Sequence, residues 1–153
     1  MIVNCPYCHA EVYPDSIRCP SCGRDLVVPR TAVCSICGQH KSQMVAINDV
    51  FYCEPDAIDQ AEKLVTITTT PKLDGQRITR YLDVETAEIV IGSKGITNLQ
   101  TARYAVLQLL KYTAFLRSAT AVVGIDLDYT EFTGGRIILV ATGTLVQTIP
   151  NSF

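Results

Sequence analysis

Seven cysteines lie in the first 53 residues of this chain, and the 100 residues that follow contain none. Six of them form Cys-x-x-Cys pairs and the seventh stands alone: Cys5/Cys8, Cys19/Cys22, Cys34/Cys37 and Cys53. Thiolates bind Zn²⁺ strongly, and two such pairs supply four ligands in tetrahedral geometry. The spacing therefore predicts an amino-terminal part built around bound zinc, with a pair of Zn²⁺ ions per chain.

The first predicted unit, residues 1–30, is a zinc ribbon whose ligands are the first two cysteine pairs. A unit this short cannot bury a sufficient core, so the metal must supply its folding free energy. The string Cys-Pro-Tyr-Cys also resembles the active site of glutaredoxin-like proteins, which leaves an unmetallated redox pair as the alternative. That motif requires a helix beginning at the pair, whereas here Pro14 and a second pair follow.

The second predicted unit, residues 31–62, is a treble-clef-like knuckle with the remaining three cysteines as ligands. Asp56 stands three residues after Cys53, where a fourth cysteine is expected, and His40 stands three residues after Cys37. Zn²⁺ accepts imidazole readily and carboxylate less often in structural sites. We favour Asp56 as the fourth ligand because of its register. His40, a water in an open position, and three unmetallated thiols stay as alternatives.

The pattern along the rest of the chain predicts an α+β fold. A short helix is expected over residues 56–62 after Pro55, and a long amphipathic helix from an N-cap at Thr97, with Gln100 at N3, to about Arg117. Hairpin turns are expected at Asn48-Asp49 and Thr133-Gly134-Gly135. The predicted strands are residues 45–47, 50–52, 65–69, 78–84, 88–91, 121–129 and 137–146.

The last predicted strand, residues 137–146, carries apolar side chains on both faces. A strand of this kind is buried on both faces. Because one long helix covers only one side of a sheet, we expect a second subunit to cover the other side. Burial alone thus predicts a homo-oligomer.

Charge and hydropathy restrict the partners of the chain. The net charge is −2, and residues 1–60 carry four basic against seven acidic side chains, which disfavours nucleic acid as a partner. No apolar run reaches the roughly 18–20 residues that span a bilayer, and no basic, apolar leader precedes Cys5. Free thiols in zinc-ligand spacing fit a reducing compartment. We therefore expect a cytoplasmic protein without membrane contact.

Two further groups of residues are candidates for binding. Asp126 and Asp128 share a strand face and fit either a hard metal ion or ion pairs with a neighbouring subunit, through Arg103, Arg117 or Arg136. Three hydroxyl side chains at alternate positions also share a predicted strand face: Thr66, Thr68 and Thr70. The plainer interpretation of this pattern, compared with a binding site, is a half-exposed strand rich in β-branched residues. The sequence contains no catalytic triad and no nucleotide fingerprint, so we do not expect an enzyme.

Three stretches of the carboxy-terminal part resemble the YbjQ-like family, often labelled as heavy-metal-binding domains. They are residues 66–71 (Thr-Ile-Thr-Thr-Thr-Pro), 119–129 (Ala-Thr-Ala-Val-Val-Gly-Ile-Asp-Leu-Asp-Tyr) and 141–144 (Ala-Thr-Gly-Thr). The resemblance covers residues 65–147 and departs at Ala87 and Ser118, where the family usually has glycine. It implies that residues 63–153 form an α+β oligomerisation domain, a curved antiparallel sheet packed on one helix. It also implies a closed homo-oligomeric ring, expected to be a pentamer.

These observations favour a non-enzymatic assembly protein, in which a ring of YbjQ-like domains displays zinc-ribbon modules as adaptors for protein partners. Ring symmetry would multiply weak contacts into useful avidity. The alternative is a metal-handling or metal-sensing protein, because a site with three thiolates and a weak fourth ligand exchanges its metal more readily than a Cys₄ site.

Overall fold

The computed structural model describes residues 2–26, 32–41, 44–92, 98–132 and 136–152. The elements within these ranges follow one another as β1 (Val3–Asn4), β2 (Glu11–Val12), β3 (Met44–Ile47), β4 (Val50–Cys53), α1 (Glu54–Leu64), β5 (Thr66–Ile67), β6 (Gln76–Ile91), α2 (Leu99–Leu116), β7 (Ala121–Phe132) and β8 (Arg136–Pro150).

Strands β3 and β4 form the hairpin that the sequence predicts, paired antiparallel from Met44↔Cys53 to Ile47↔Val50. Both turn residues have positive φ, 50° at Asn48 and 64° at Asp49. Such a two-residue turn matches the right-handed twist of paired strands. The hairpin ends at Cys53 and so delivers that thiol to the start of α1.

Helix α1 begins at Glu54, two residues before the predicted start, with Pro55 in its first turn. Proline is well placed there, because the first amides of a helix have no partner within the helix. The earlier start makes Cys53 the N-cap and puts Asp56 in the first turn. Both side chains are thereby brought to the same end of the helix.

Helix α2 ends as predicted, but its cap is one residue later than expected. Asn98 is the N-cap and its side chain accepts a hydrogen bond of 2.8 Å from the Thr101 amide, while Thr97 lies outside the described residues. At the other end Ser118 adopts φ 61°, the left-handed conformation that usually favours glycine. This departure from the family pattern is therefore accommodated by the backbone without a change of fold.

The larger sheet has the strand order β5-β7-β8-β6, and β5 runs parallel to β7. The expectation of a purely antiparallel sheet is therefore wrong, and the sheet is mixed. Parallel neighbours need a crossover connection, which the chain provides through β6 and α2. The two strands expected at residues 78–84 and 88–91 are one continuous strand, because β8 pairs with the intervening residues through Glu85↔Gly143 and Ala87↔Ala141.

A bulge in β7 links two of the stretches that resemble the YbjQ-like family. The β7–β8 register shifts between Val123 and Asp126, so that Gly143 faces the bulge. A Cβ atom on Gly143 would lie 2.5 Å from Val122 Cγ1 and 3.0 Å from Ile125 Cγ1. The missing side chain in one stretch thus makes room for the bulged residues of the other.

One face of the sheet packs on α2, and the core extends without a break into the cysteine-rich part. The buried cluster includes residues from α2, β8 and the first cysteine unit: Ala102, Val106, Leu110, Leu139, Ala141, Leu145, Cys5, Tyr7 and Cys19. Leu99 and Leu109 of α2 lie away from this core and are exposed. The amino-terminal part is therefore packed against the carboxy-terminal domain.

Within the described residues, the opposite face of the sheet is covered at one end only. Ala121, Val123 and Val146 are buried there against Leu73 and Ile78. Farther along, Ile138 and Val140 of β8 are half-buried, and Val84 of β6 is 60% exposed. The predicted turn at Thr133-Gly134-Gly135 lies outside the described residues. Among the described residues, no helix has both the length and the apolar character needed to cross a bilayer.

Candidate metal centres

The three Cys-x-x-Cys pairs adopt the same backbone loop. In each, the amide of the residue after the pair donates to the carbonyl of the first cysteine, at 2.9 Å from His9, 2.8 Å from Gly23 and 2.8 Å from Gly38. Those three residues have φ values of 61°, 73° and 72°. The left-handed residue reverses the chain, and the reversal leaves both thiols of a pair on the same side of the loop.

The first cluster brings together the sulfurs of Cys5, Cys8, Cys19 and Cys22, all within 4.8 Å of one another. The Cys5–Cys22 and Cys8–Cys19 sulfur separations are 3.8 and 3.6 Å. Four sulfurs at about 2.3 Å from a tetrahedral Zn²⁺ would be about 3.8 Å apart. The donor set and its spacing therefore fit a tetrahedral thiophilic metal ion.

The environment of the first cluster raises the pKa of one thiol and lowers that of another. Burial raises the pKa of Cys5 to about 12. The backbone amide of Cys22 donates to the sulfur of Cys19 and helps lower the pKa of that thiol to about 7. Without metal, the cluster therefore keeps protons at neutral pH, and a metal ion must displace them in order to bind.

The second cluster contains Cys34, Cys37, Cys53 and Asp56. One carboxylate oxygen of Asp56 lies 3.1 Å from the sulfurs of both Cys34 and Cys53, and the Cys37–Cys53 sulfur separation is 3.9 Å. One pair comes from a knuckle, and the other two side chains come from the N-cap and the first turn of α1. The elements that supply these side chains follow one another in the chain as knuckle, hairpin and helix.

Asp56, rather than His40, lies with the three thiols of the second cluster. His40 Nδ1 is 2.7 Å from the carbonyl oxygen of Ala32, to which the ring N–H donates. Hydrogen bonds from the thiols of Cys34 and Cys53 lower the pKa of Asp56, and the Asp56 carboxylate in turn raises the pKa of Cys53 to about 11. A metal ion at this cluster would replace the shared thiol protons.

The two clusters differ in their accessibility. Cys5 and Cys19 of the first cluster are buried, and its other two cysteines are half-buried. In the second cluster Cys37 is exposed, and Lys41 places a positive charge near Asp56. The second cluster is therefore open to solvent on the side of Cys37.

Tyr7 and Arg24, which sequence reasoning did not assign to any contact, join the first cluster to the rest of the fold. Tyr7 is 2% exposed, and its hydroxyl accepts a hydrogen bond of 2.9 Å from the Ala46 amide in β3. The Arg24 guanidinium lies 5.2 Å from the centre of the Tyr7 ring and donates to the Ser118 hydroxyl at 3.0 Å. That hydroxyl donates to the side-chain oxygen of Asn48 at 3.1 Å.

The second unit packs on α2 through its hairpin and helix. The rings of Tyr52 and Phe115 meet edge to face at 5.5 Å. Ala57 and Ala61 of α1 are buried, and small side chains allow the two helices to approach closely.

Little in the sequence indicated the contacts made by Tyr7 and Arg24. The only signal for Tyr7 was its position within a Cys-x-x-Cys loop, and no signal marked Arg24.

The remaining candidate sites are not assembled as binding sites. Among the described residues, only the two cysteine-rich clusters bring three or more metal-ligating side chains so close together. Asp126 and Asp128 are exposed on the sheet face opposite α2. Arg117, one of their expected partners, pairs within the chain with Glu85 at 2.7 Å and Asp83 at 3.2 Å.

The three threonines do not line a common strand, because β5 covers only Thr66–Ile67. The hydroxyls of Thr68 and Thr70 lie 2.8 Å apart, and the Thr70 hydroxyl donates to the Lys72 carbonyl at 2.7 Å. The hydroxyls thus stabilise a local turn.

The carboxy-terminal half of the chain is similar to known proteins. It is similar to a UPF0145 protein from Carboxydothermus hydrogenoformans, 31% identical over 103 residues, which covers 55% of this chain and 96% of the relative. A UPF0145 protein from Actinobacillus pleuropneumoniae serotype 5b is 35% identical over 101 residues, and the match covers 52% of this chain and 95% of that relative. The names of these relatives assign them no activity.

No family model matches the chain. A solved structure from Pediococcus pentosaceus, described as a DUF74-family protein of unknown function, aligns with a TM-score of 0.38 and 20% identity. The alignment covers 54% of this chain and 96% of the chain in that structure. Since two relatives above 30% identity are matched over nearly their whole length, this chain belongs to the UPF0145 (YbjQ-like) family.

Proposed function

We propose that the protein is a zinc-binding, non-enzymatic homo-oligomer. In this proposal the UPF0145 domain assembles the subunits, and the two cysteine-rich units, each built on one Zn²⁺, present a surface to a protein partner. The observation that supports metal binding is the first cluster, whose sulfur separations of 3.6 and 3.8 Å match a tetrahedral ZnS₄ centre.

The donor types favour zinc over harder cations. Ca²⁺ and Mg²⁺ take oxygen ligands, whereas thiolates select Zn²⁺, Cu(I) or iron. A closed site with four thiolates leaves no position for a substrate and is typical of structural zinc. The second cluster adds one carboxylate to three thiolates, which zinc also accepts.

The proposal of assembly is supported by the half-covered face of the larger sheet. Ile138, Val140 and Val84 lie on the face away from α2 and keep apolar surface in contact with water. A matching face of a second copy would bury these side chains. A partner surface is supported by exposed apolar side chains around the cysteine loops, Ile17, Val33 and Ile36.

Native mass spectrometry of the purified protein tests these statements together, because one spectrum reports subunit number and metal content. We expect an oligomer with two zinc ions per subunit. Monomers at micromolar concentration would contradict the assembly role. Well-folded protein without metal would contradict the zinc role.

A metal-handling or metal-sensing function is the second candidate, favoured by Asp56 in place of a cysteine and by the exposed Cys37. A carboxylate is a weaker zinc ligand than a thiolate, and an accessible ligand is open to competition. Titration with a chelator should then remove zinc from the second centre first. Equal and chelator-resistant retention of both ions would count against this function.

A further inference from the structure

Cys37 is the one exposed cysteine of the seven, the others being buried or half-buried. It belongs to the cluster in which Asp56 replaces a fourth cysteine. We propose that the second centre is peroxide-sensitive: a hydroperoxide oxidises Cys37, a Cys37–Cys53 disulfide forms, and the metal ion is released. This inference rests on the proposed zinc binding and adds the class of oxidant that regulates the site.

The chemistry balances with hydrogen peroxide as the oxidant. The Cys37 thiolate attacks one peroxide oxygen, the O–O bond breaks, and a sulfenic acid and a hydroxide ion result. The Cys53 thiolate then attacks the sulfenic sulfur, the S–O bond breaks, and a second hydroxide leaves as the S–S bond forms. The two sulfurs lose two electrons to the peroxide, and two solvent protons convert the hydroxides to water.

The geometry supplies both thiols for this sequence. The sulfurs of Cys37 and Cys53 are 3.9 Å apart, so the second step needs only a short approach. Cys53 is the N-cap of α1, so its sulfur is fixed at the start of that helix, beside the knuckle that carries Cys37. Oxidation would leave Cys34 and Asp56 as ligands, too few to hold the ion in a tetrahedral site.

The first centre lacks these features. Its four members are all thiolates, and none of them is exposed. Arg24, the cation beside it, is already engaged by the Tyr7 ring and the Ser118 hydroxyl. Peroxide therefore has less access to the sulfurs of this cluster than to that of Cys37.

The test uses full-length protein loaded with zinc. Native mass spectrometry first establishes two zinc ions per chain, and hydrogen peroxide is then added while a chromogenic chelator follows zinc release. Alkylation of the remaining thiols, followed by peptide mapping, locates the oxidised cysteines. We expect one zinc per chain to leave at least about tenfold faster than the other, together with a disulfide between Cys37 and Cys53.

A matched pair of variants distinguishes the effect of removing the exposed thiol from the effect of weakening the metal site in general. Cys37→His and Cys34→His each replace one thiolate by an imidazole, which zinc accepts. Only Cys34→His keeps the two sulfurs that form the disulfide. Peroxide-dependent zinc release should be lost in Cys37→His and retained in Cys34→His.

The outcomes distinguish the two proposals. Fewer than two zinc ions per chain before peroxide is added would contradict the proposed function itself. Two bound ions that leave at equal rates, first oxidation within the cysteines of the first cluster, or equal sensitivity of the two variants would overturn this inference alone. If neither variant retains zinc, the position of the first disulfide in the unmodified protein decides.

Discussion

The two halves of this protein are stabilised by different means. In the amino-terminal part, residues 2–26 form two-residue strands and two cysteine loops around buried Cys5 and Cys19. In the carboxy-terminal part, a helix packs on a sheet over Val106, Leu110 and Leu139, all fully buried. A short segment buries little apolar surface of its own, so we expect the first half to depend on a bound metal ion, whereas the second depends on its core.

The largest expected effect that follows from this comparison is produced by removing the metal. Treatment with a strong chelator should abolish order in residues 2–26 and leave the sheet of β6, β7 and β8 intact, because structural zinc supplies about 10–16 kcal/mol in zinc-finger peptides. Amide hydrogen exchange measured by mass spectrometry would show the difference. Equal protection of residues 2–26 with and without metal would contradict it.

A substitution at Gly143 tests the other half. Gly143→Ala places a Cβ atom 2.5 Å from Val122 Cγ1, and overpacking of this kind costs about 1–3 kcal/mol. Denaturant unfolding should show this loss whether or not metal is bound. The adjacent Thr144→Ala, on the opposite face, serves as control and should change stability by about 0.5 kcal/mol or less.

Tyr7 connects the two halves, and its hydroxyl can be removed alone. Tyr7→Phe leaves the Ala46 amide without its acceptor, and an unpaired buried group costs about 1–3 kcal/mol. Exchange of the Ala46 amide should accelerate, and the midpoint of urea unfolding of the zinc-loaded protein should fall. Tyr13→Phe is the matched control, since Tyr13 is 69% exposed. Equal effects of the two substitutions would show that the hydrogen bond to β3 is unimportant.

Ser118 should give the smallest effect, because two contributions oppose each other. Ser118→Gly relieves the left-handed backbone by about 1–2 kcal/mol but removes the hydroxyl that contacts Arg24 and Asn48, worth a similar amount. We expect little net change in the free energy of unfolding. Ser118→Ala loses the same contacts and keeps the strain, so it should be less stable than Ser118→Gly by about 1–2 kcal/mol. Identical stabilities would mean that the backbone carries no strain.

Features with a local cause were predictable. The Asn48-Asp49 hairpin and the extent of α2 each depend on residues close together in the chain, so their patterns are visible in the sequence. The first cysteine cluster and the Cys34/Cys37 pair of the second follow from the same local spacing. The motifs that resemble the YbjQ-like family were recognisable without any knowledge of how their strands pair.

Features that depend on distant partners were not predictable. The single strand β6 exists because β8 pairs along its full length, and β5 becomes parallel to β7 only after the chain has crossed over through α2. The burial of Tyr7 and its hydrogen bond from the Ala46 amide of β3 join residues that are far apart in the chain.

By itself the sequence determined which residues can be ligands, where the chain turns and which family the second half resembles, because these properties depend on residue type and short spacing. Only the tertiary structure decided that Asp56, and not His40, joins the three thiols, and that Cys37 alone is exposed. The first of these outcomes depends on how the hairpin delivers Cys53 to the start of α1. That arrangement is determined by packing against α2, which short-range patterns do not encode.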